Sequence, residues 1–313
     1  KIINGKQFTD AGATGITNLR DLFNAYAPEE ARNVLCVLFD LLQSYFNGSM
    51  FDAAGVGDWS HVTPEHIDIL KNFLNGEEPG TNQLTFDFWV YDFSVIPIET
   101  ISAIYEDFLK AENSEEQREK GAYYTPKHLA EMVVDVAVEG WDTLLDKRVL
   151  DPSCGSGIFL VIMFNRLAEE WRRRNPQASN IERANALLMI IQTHLCGIDV
   201  NETACRITCF SLYLALLDQL NPNDIHELKE KHGTVLTKLL ALKKDNYTTT
   251  ESAVIFEGNF FDPGIPLSDT FDLVIGNPPW VGRNQASDSI IRDWCLNKKN
   301  PFSDIAPKKQ TDR

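Results

Sequence analysis

The chain has 313 residues, 43% of them hydrophobic, and a formal net charge of −16. Its mean hydropathy is −0.22. That length gives room for one large core or two ordinary ones, and so acidic a balance excludes broad electrostatic capture of nucleic acid by this segment alone, since phosphate contacts need Lys and Arg. The longest apolar runs, such as Ile158 to Phe164, are too short to cross a bilayer. The opening Lys1-Ile2-Ile3-Asn4-Gly5 has no signal-peptide core and no initiator Met, so the chain reads as cytoplasmic and as a piece excised from a longer protein.

Residues 1–111 read as a helical domain. Val34, Leu35, Leu38, Leu41, Leu42, Tyr45 and Phe46 recur at helical spacing, and Asn47-Gly48 ends the run with residues that tolerate a left-handed conformation. A second helix begins at Pro64 with Thr63 as its N-cap and stops before Gly76. A third places Ile98, Ile101, Ile104, Tyr105 and Phe108 on one face. Residues 112–120 are charged, lack an apolar anchor and read as a polar linker or loop.

From residue 121 to 313 the pattern becomes alternating strands and helices. Short strands are predicted within KRVLD (147–151), HLCGID (194–199), SAVIFEG (252–258) and FDLVIG (271–276), separated by helices over IFLVIMFNRLAEEWRRR, IERANALLMIIQTHL and ETACRITCFSLYLALLDQL. That alternation predicts an α/β domain with a doubly wound, mostly parallel sheet and helices on both faces. Such sheets bind ligands beyond the carboxyl ends of their strands, at a switch in strand order. The fourth predicted strand is left as a sheet edge.

All four strand ends carry unusual polar residues. Asp151-Pro152-Ser153-Cys154-Gly155-Ser156-Gly157 fits either a plain tight turn or a loop whose glycines let backbone N–H groups approach a ligand. It contains neither the GxGxxG dinucleotide fingerprint nor a P-loop. Asp199 suits the paired hydroxyls of a ribose, or serves as N-cap for the helix at Glu202. After the third strand, Asn259 and Phe260 could meet an adenine amine and ring, although adjacent Phe260 and Phe261 equally suit a core. The fourth ends in Asn277-Pro278-Pro279-Trp280. Two pyrrolidines fix the loop and leave carbonyls free, so the Asn277 side chain and the Pro278 carbonyl can accept both protons of one exocyclic amine while Trp280 stacks on its ring. The cysteines at 36, 154, 196, 205, 209 and 295 form no CxxC pair and the histidines no HExxH, so no metal is implied.

Gly121-Ala122-Tyr123-Tyr124-Thr125-Pro126, Asp151 to Gly157 and Asn277 to Trp280, in this order, resemble the S-adenosylmethionine-dependent DNA adenine-N6 methyltransferases whose cofactor motifs precede the catalytic one. The resemblance runs over residues 85–285 and extends to the N-terminal helices of restriction–modification methylases. It implies a class I methyltransferase fold, incomplete here, with S-adenosylmethionine as cofactor. Tyr124, Thr125, Asp151, Ser153, Gly155, Gly157, Asp199, Asn259 and Phe260 are then cofactor-binding, Thr125 reaching the methionine carboxylate. Residue 259 is often Asp in that family. Asn277, Pro278, Pro279 and Trp280 are catalytic and act on an adenine extruded from double-stranded DNA. A separate recognition domain, and a specificity or nuclease partner or fused domain, are expected elsewhere in the protein, so the piece alone is expected not to methylate DNA. A protein glutamine, an RNA base, or a subunit without turnover are the alternatives.

Overall fold

The computed structural model describes residues 5–46, 59–77, 125–221, 237–247, 253–262, 264–267 and 270–278, together with Asp224 and Glu227. The predicted helix at 98–108 and the polar linker lie outside them. In the N-terminal part, helices α1 (Gly5–Asp10) and α2 (Leu19–Ala25) lean on α3 (Pro28–Phe46), which packs on α4 (Pro64–Leu74). The apolar spacing of α3 has its consequence here: Val34, Leu35 and Leu38 are buried together with Ile67 of α4. The guanidinium of Arg32 donates to the carbonyls of Trp59 and Val62, tying the start of α3 to the approach of α4. At α4, Pro64 occupies the first turn and the Thr63 amide donates to His66 Nδ1 at 3.1 Å, satisfying a donor that the helix start leaves open. Gly76 follows the helix with φ of +80°.

The α/β part opens with α5 (Lys127–Ala137), led in by Pro126 as the sequence pattern requires. Then come β1 (Val149–Asp151), α6 (Ile158–Arg174), α7 (Asn180–His194), β2 (Leu195–Asp199), α8 (Glu202–Asp218), β3 (Leu240–Ala241), β4 (Ile255–Glu257) and β5 (Leu273–Val274). Five parallel strands lie in the order β3-β4-β2-β1-β5. The chain leaves β1 in one direction through β2 to β4 and returns to the other side of β1 as β5. This reversal is the switch point.

Side chains alternate across the sheet with the period of two that a pleated strand imposes. Val149, Leu195, Leu240 and Ile255 enter the large core under the helices. Leu150, Cys196, Ile198, Ala241 and Phe256 enter a smaller cluster on the opposite face, closed by Ile265, Phe260 and Phe271. The mostly parallel sheet with flanking helices is the α/β arrangement expected from the sequence. Among the described residues α6, α7 and α8 pack on one another and on the same side of the sheet. Right-handed crossovers running in one direction from β1 must place their helices on one face, and only a connection beyond the reversal reaches the other.

One difference from the sequence reading appears. The strand β3 was not expected; it is fixed by pairing of Leu240 with Ile255 and Ala241 with Phe256. Among the described residues β5 is an outer strand, as expected, bonded to β1 through Leu273 and Val274, and Val274 is 59% exposed.

Candidate active site

The switch point is framed by the carboxyl ends of β1 and β5. A cleft there is lined by Thr125, Asp151, Ser153, Cys154, Gly155, Ser156, Ile158, Phe159 and Asn277, with a volume of about 40 Å³. That is room for a small polar group rather than a whole nucleoside. Five residues expected from sequence to bind or react therefore meet in one place: Thr125, Asp151, Ser153, Gly155 and Asn277.

Asp151 ends β1 and is 1% exposed. Its Oδ1 accepts the Ser153 N–H at 3.1 Å, whereas its Oδ2 has no partner among the described residues. The Ser153 hydroxyl is likewise buried and unpaired. Burial pushes the Asp151 carboxyl up to about 7; the nearby Asp199 charge adds to the rise and the Ser153 N–H opposes it. Polar atoms left without partners inside a protein are destabilising unless something completes them. Both residues line the cleft, where a polar ligand would complete these atoms.

The loop that follows is held from below. Cys154 N donates to Ile198 O of β2 at 2.8 Å, and Gly155 N donates to Asp199 Oδ2 at 2.9 Å. Thr208, in the middle of α8, donates its hydroxyl to Gly155 O at 2.8 Å. Gly157 turns the chain into α6 with φ of +86°, and a Cβ there would lie 2.9 Å from Thr208 Cγ2. Gly157→Ala combines a left-handed alanine with a side-chain overlap. It is expected to destabilise the protein by about 1–3 kcal/mol and to displace the loop, which a paired thermal melt and cofactor titration would register. An unchanged melt would mean that the loop relaxes freely.

Asp199 closes β2. Its Oδ1 accepts from Asn201 N at 2.9 Å, and burial raises its carboxyl above the usual carboxylate range, against the N–H groups of Asn201, Gly155 and Val200. Of its two sequence readings, the helix-cap one is corrected: Asn201 is the N-cap of α8, its Oδ1 accepting from Thr203 N and Ala204 N. Asp199 stands two residues earlier, still paired with Glu257 in the sheet, and the cap falls to Asn201.

Asn259 and Phe260 follow β4, the strand beside β2, and so stand beyond the Asp199 end of the sheet rather than around the cleft. Asn259 Oδ1 accepts from Phe261 N at 3.0 Å, and the Phe260 and Phe261 rings meet edge-on at 5.2 Å. On the other side, Asn277 follows β5 and its Nδ2 donates to Thr125 Oγ1 at 3.1 Å, joining residues 152 positions apart. Pro278 is exposed. Tyr124, Pro279 and Trp280 lie outside the described residues.

Sequence reasoning missed two supporting residues. A Cβ on Gly276 would fall 2.4 Å from Asp151 Oδ1, so only glycine lets β5 pass so close to the buried carboxylate. Thr208 shares its helix with the hydroxyls of Thr203, Ser211 and Tyr213, and nothing in the sequence singles it out. Among the described residues no cluster of His, Cys, Asp and Glu is arranged to hold a metal ion, and no helix is long and apolar enough to cross a membrane. Cys154, Cys196, Cys205 and Cys209 are buried thiols.

The profile of the family described as N-6 DNA Methylase matches residues 97–313. The chain belongs to that family. Relatives of this N-6 DNA methylase chain include the type II methyltransferase M.PaeR7I of Pseudomonas aeruginosa, 26% identical over 163 residues, covering 52% of this chain and 23% of the relative. The type II restriction enzyme and methyltransferase RM.Eco57I of Escherichia coli is 23% identical over 269 residues, covering 75% of this chain and 26% of the relative. The chain thus spans about a quarter of the length of these curated relatives. A crystal structure of a modification subunit assigned to a type I restriction enzyme of Vibrio vulnificus YJ016 shares 19% identity at a TM-score of 0.34, covering 69% of this chain and 37% of that one.

Proposed function

We propose that this chain carries the cofactor and target-amine site of a DNA methyltransferase that moves a methyl group from S-adenosylmethionine to N6 of adenine, as the modification activity of a restriction–modification system. The observation that carries the reading is the convergence of Asn277 and Thr125 on the cleft where Asp151 Oδ2 and Ser153 Oγ lack partners. S-adenosylmethionine fits these residues because its amino-acid end offers an ammonium for the unpaired acceptors and a carboxylate for the Thr125 hydroxyl. When bound, it supplies a sulfonium methyl group.

The chain's own residues do the rest by positioning and electrostatics. Asp199 would hold the ribose hydroxyls, with Asn259 and Phe260 at the adenine ring and Tyr124 beside Thr125. Gly155 and Gly157 keep the loop low enough for that approach. Asn277 Oδ1 and the Pro278 carbonyl accept the two protons of the target amine, favouring a pyramidal nitrogen with a localised lone pair. Pro279 fixes the loop and Trp280 stacks on the extruded base. An amide is no general base, so the displaced proton leaves to water or a backbone acceptor. Double-stranded DNA is the partner in this reading, met by a recognition region of the complete gene product, and a restriction activity acts beside it.

Genomic DNA from cells expressing the complete gene, digested and analysed for modified nucleosides, is expected to contain N6-methyladenine at one sequence motif. Label transferred instead to a protein glutamine or to RNA, with unmodified DNA, would replace this reading.

A further inference from the structure

We infer that Thr125 is a positioning residue for the Asn277 amide, in addition to facing the cofactor; this rests on the adenine-N6 reading above. A carboxamide has a donor end and an acceptor end, and only the acceptor end can take a proton of the target amine. Rotation by half a turn would present Nδ2 to that amine instead and set donor against donor. The hydrogen bond from Asn277 Nδ2 to Thr125 Oγ1, 3.1 Å long, fixes which end faces which way. Thr125 is 8% exposed and stands at the start of α5, on the wall of the cleft facing β5.

The acceptor end is kept open by a second device. At the other strand ends, and again in the loop after β4, the side-chain oxygen of Asp or Asn is taken by the N–H two residues on: Asp151 by Ser153, Asp199 by Asn201, Asn259 by Phe261, and Asp262 by Gly264. This turn is the default for such side chains. The residue two places after Asn277 is Pro279, which has no N–H, and Pro278 has none either. Asn277 alone in this set cannot spend its oxygen on the next turn of its own chain. One end is therefore held by Thr125 and the other has no local donor.

The chemistry of Thr125 also links the two subsites. A hydroxyl has one proton and two lone pairs. Accepting from Asn277 leaves the proton for an anion in the cleft, and donating that proton strengthens the bond it accepts. An anionic cofactor end on Thr125 thus tightens the grip on Asn277, so the amine site is best ordered when the cofactor is in place.

The test uses the complete gene product, its own DNA motif, and the variants Thr125→Val and Thr125→Ser. Valine is expected to weaken cofactor binding about fivefold to tenfold, the worth of one hydrogen bond. At saturating cofactor it should still lower kcat about 10- to 100-fold, as a misoriented reacting group does, with serine restoring kcat to within a few-fold. A readout free of cofactor is the ratio of affinities for DNA bearing adenine or purine at the target, since purine lacks the amine; valine should move this ratio against adenine. If valine affects cofactor affinity alone, with full kcat at saturation and an unchanged adenine-to-purine ratio, Thr125 has no hold on Asn277 and the inference falls. Asn277→Ala that still methylates adenine would instead sink the underlying reading, so the two failures are distinct.

Discussion

Asn277→Ala is expected to lower methyl transfer by at least about 10²–10³-fold, the range seen when one preorganised polar contact is removed from a reacting centre, while leaving cofactor affinity within a few-fold of the parent. The separation follows from the site's layout. The Asn277 side chain bonds to Thr125, whereas the acceptors that lack a partner among the described residues are Asp151 Oδ2 and Ser153 Oγ. Asparagine cannot relay a proton, so the loss should not be rescued by raising the pH. Single-turnover transfer and calorimetric cofactor binding, measured on the complete gene product, read the two effects independently. Equal loss of binding and transfer would assign Asn277 to the cofactor.

Asp151→Asn is expected to act in opposite directions on binding and stability. In the folded protein the Asp151 carboxyl is raised from 3.8 to about 7 by burial. A group held above its unfolded value contributes stability at low pH that is lost as the pH climbs through the folded value. For Asp151 the loss runs from about pH 4 to about pH 7, and above that range the protein contains a buried carboxylate. Replacing it by the neutral amide should therefore raise stability at pH 8 by about 2–4 kcal/mol and flatten the pH dependence between pH 4 and 7. Cofactor binding has the reverse sign. The ammonium end prefers the ionised carboxylate, so parent affinity should increase toward pH 7 and level off above it, while the variant stays weak throughout. Denaturant melts at pH 5 and pH 8, paired with titrations across the same range, decide both points. A variant that binds cofactor as the parent does would remove Asp151 from the ligand set.

How far the sequence disclosed this site depended on whether each feature was local. β1, β2, β4 and β5 were legible because a buried parallel strand must be a short apolar run, and each here opens into a loop of Asp, Asn, Gly or Pro. β3 was not, because Leu240-Ala241 sits in TKLLALKKD, an apolar spacing that suits a helix equally, and only the partner β4 decides. Asp199 had two readings at a strand-to-helix junction, and the capping bonds made by Asn201 removed one of them. The convergence of Thr125 with Asn277 is a property of strand order, which no window of sequence contains. Gly276 shows the same limit in miniature: its neighbours in sequence gave no hint that a carboxylate 125 positions earlier would press against it.

The position of β5 also has a bearing on biosynthesis. Its ladder to β1 closes over contacts 124 residues apart, such as Arg148 N with Asp272 Oδ2. A ribosome adding 5–20 residues per second needs about 6–25 s to cover that span. Through that interval the flank of β1 that β5 will occupy stays unpaired beside strands already able to assemble, and an unpaired strand flank is a template for neighbouring chains. The same late arrival brings Asn277 to Thr125, so the Asn277 amide is set only when the sheet is closed. Nascent chains crowded on one message therefore compete with β5 for its place, and slow translation just upstream of it should lower the yield of active protein more than slow translation elsewhere.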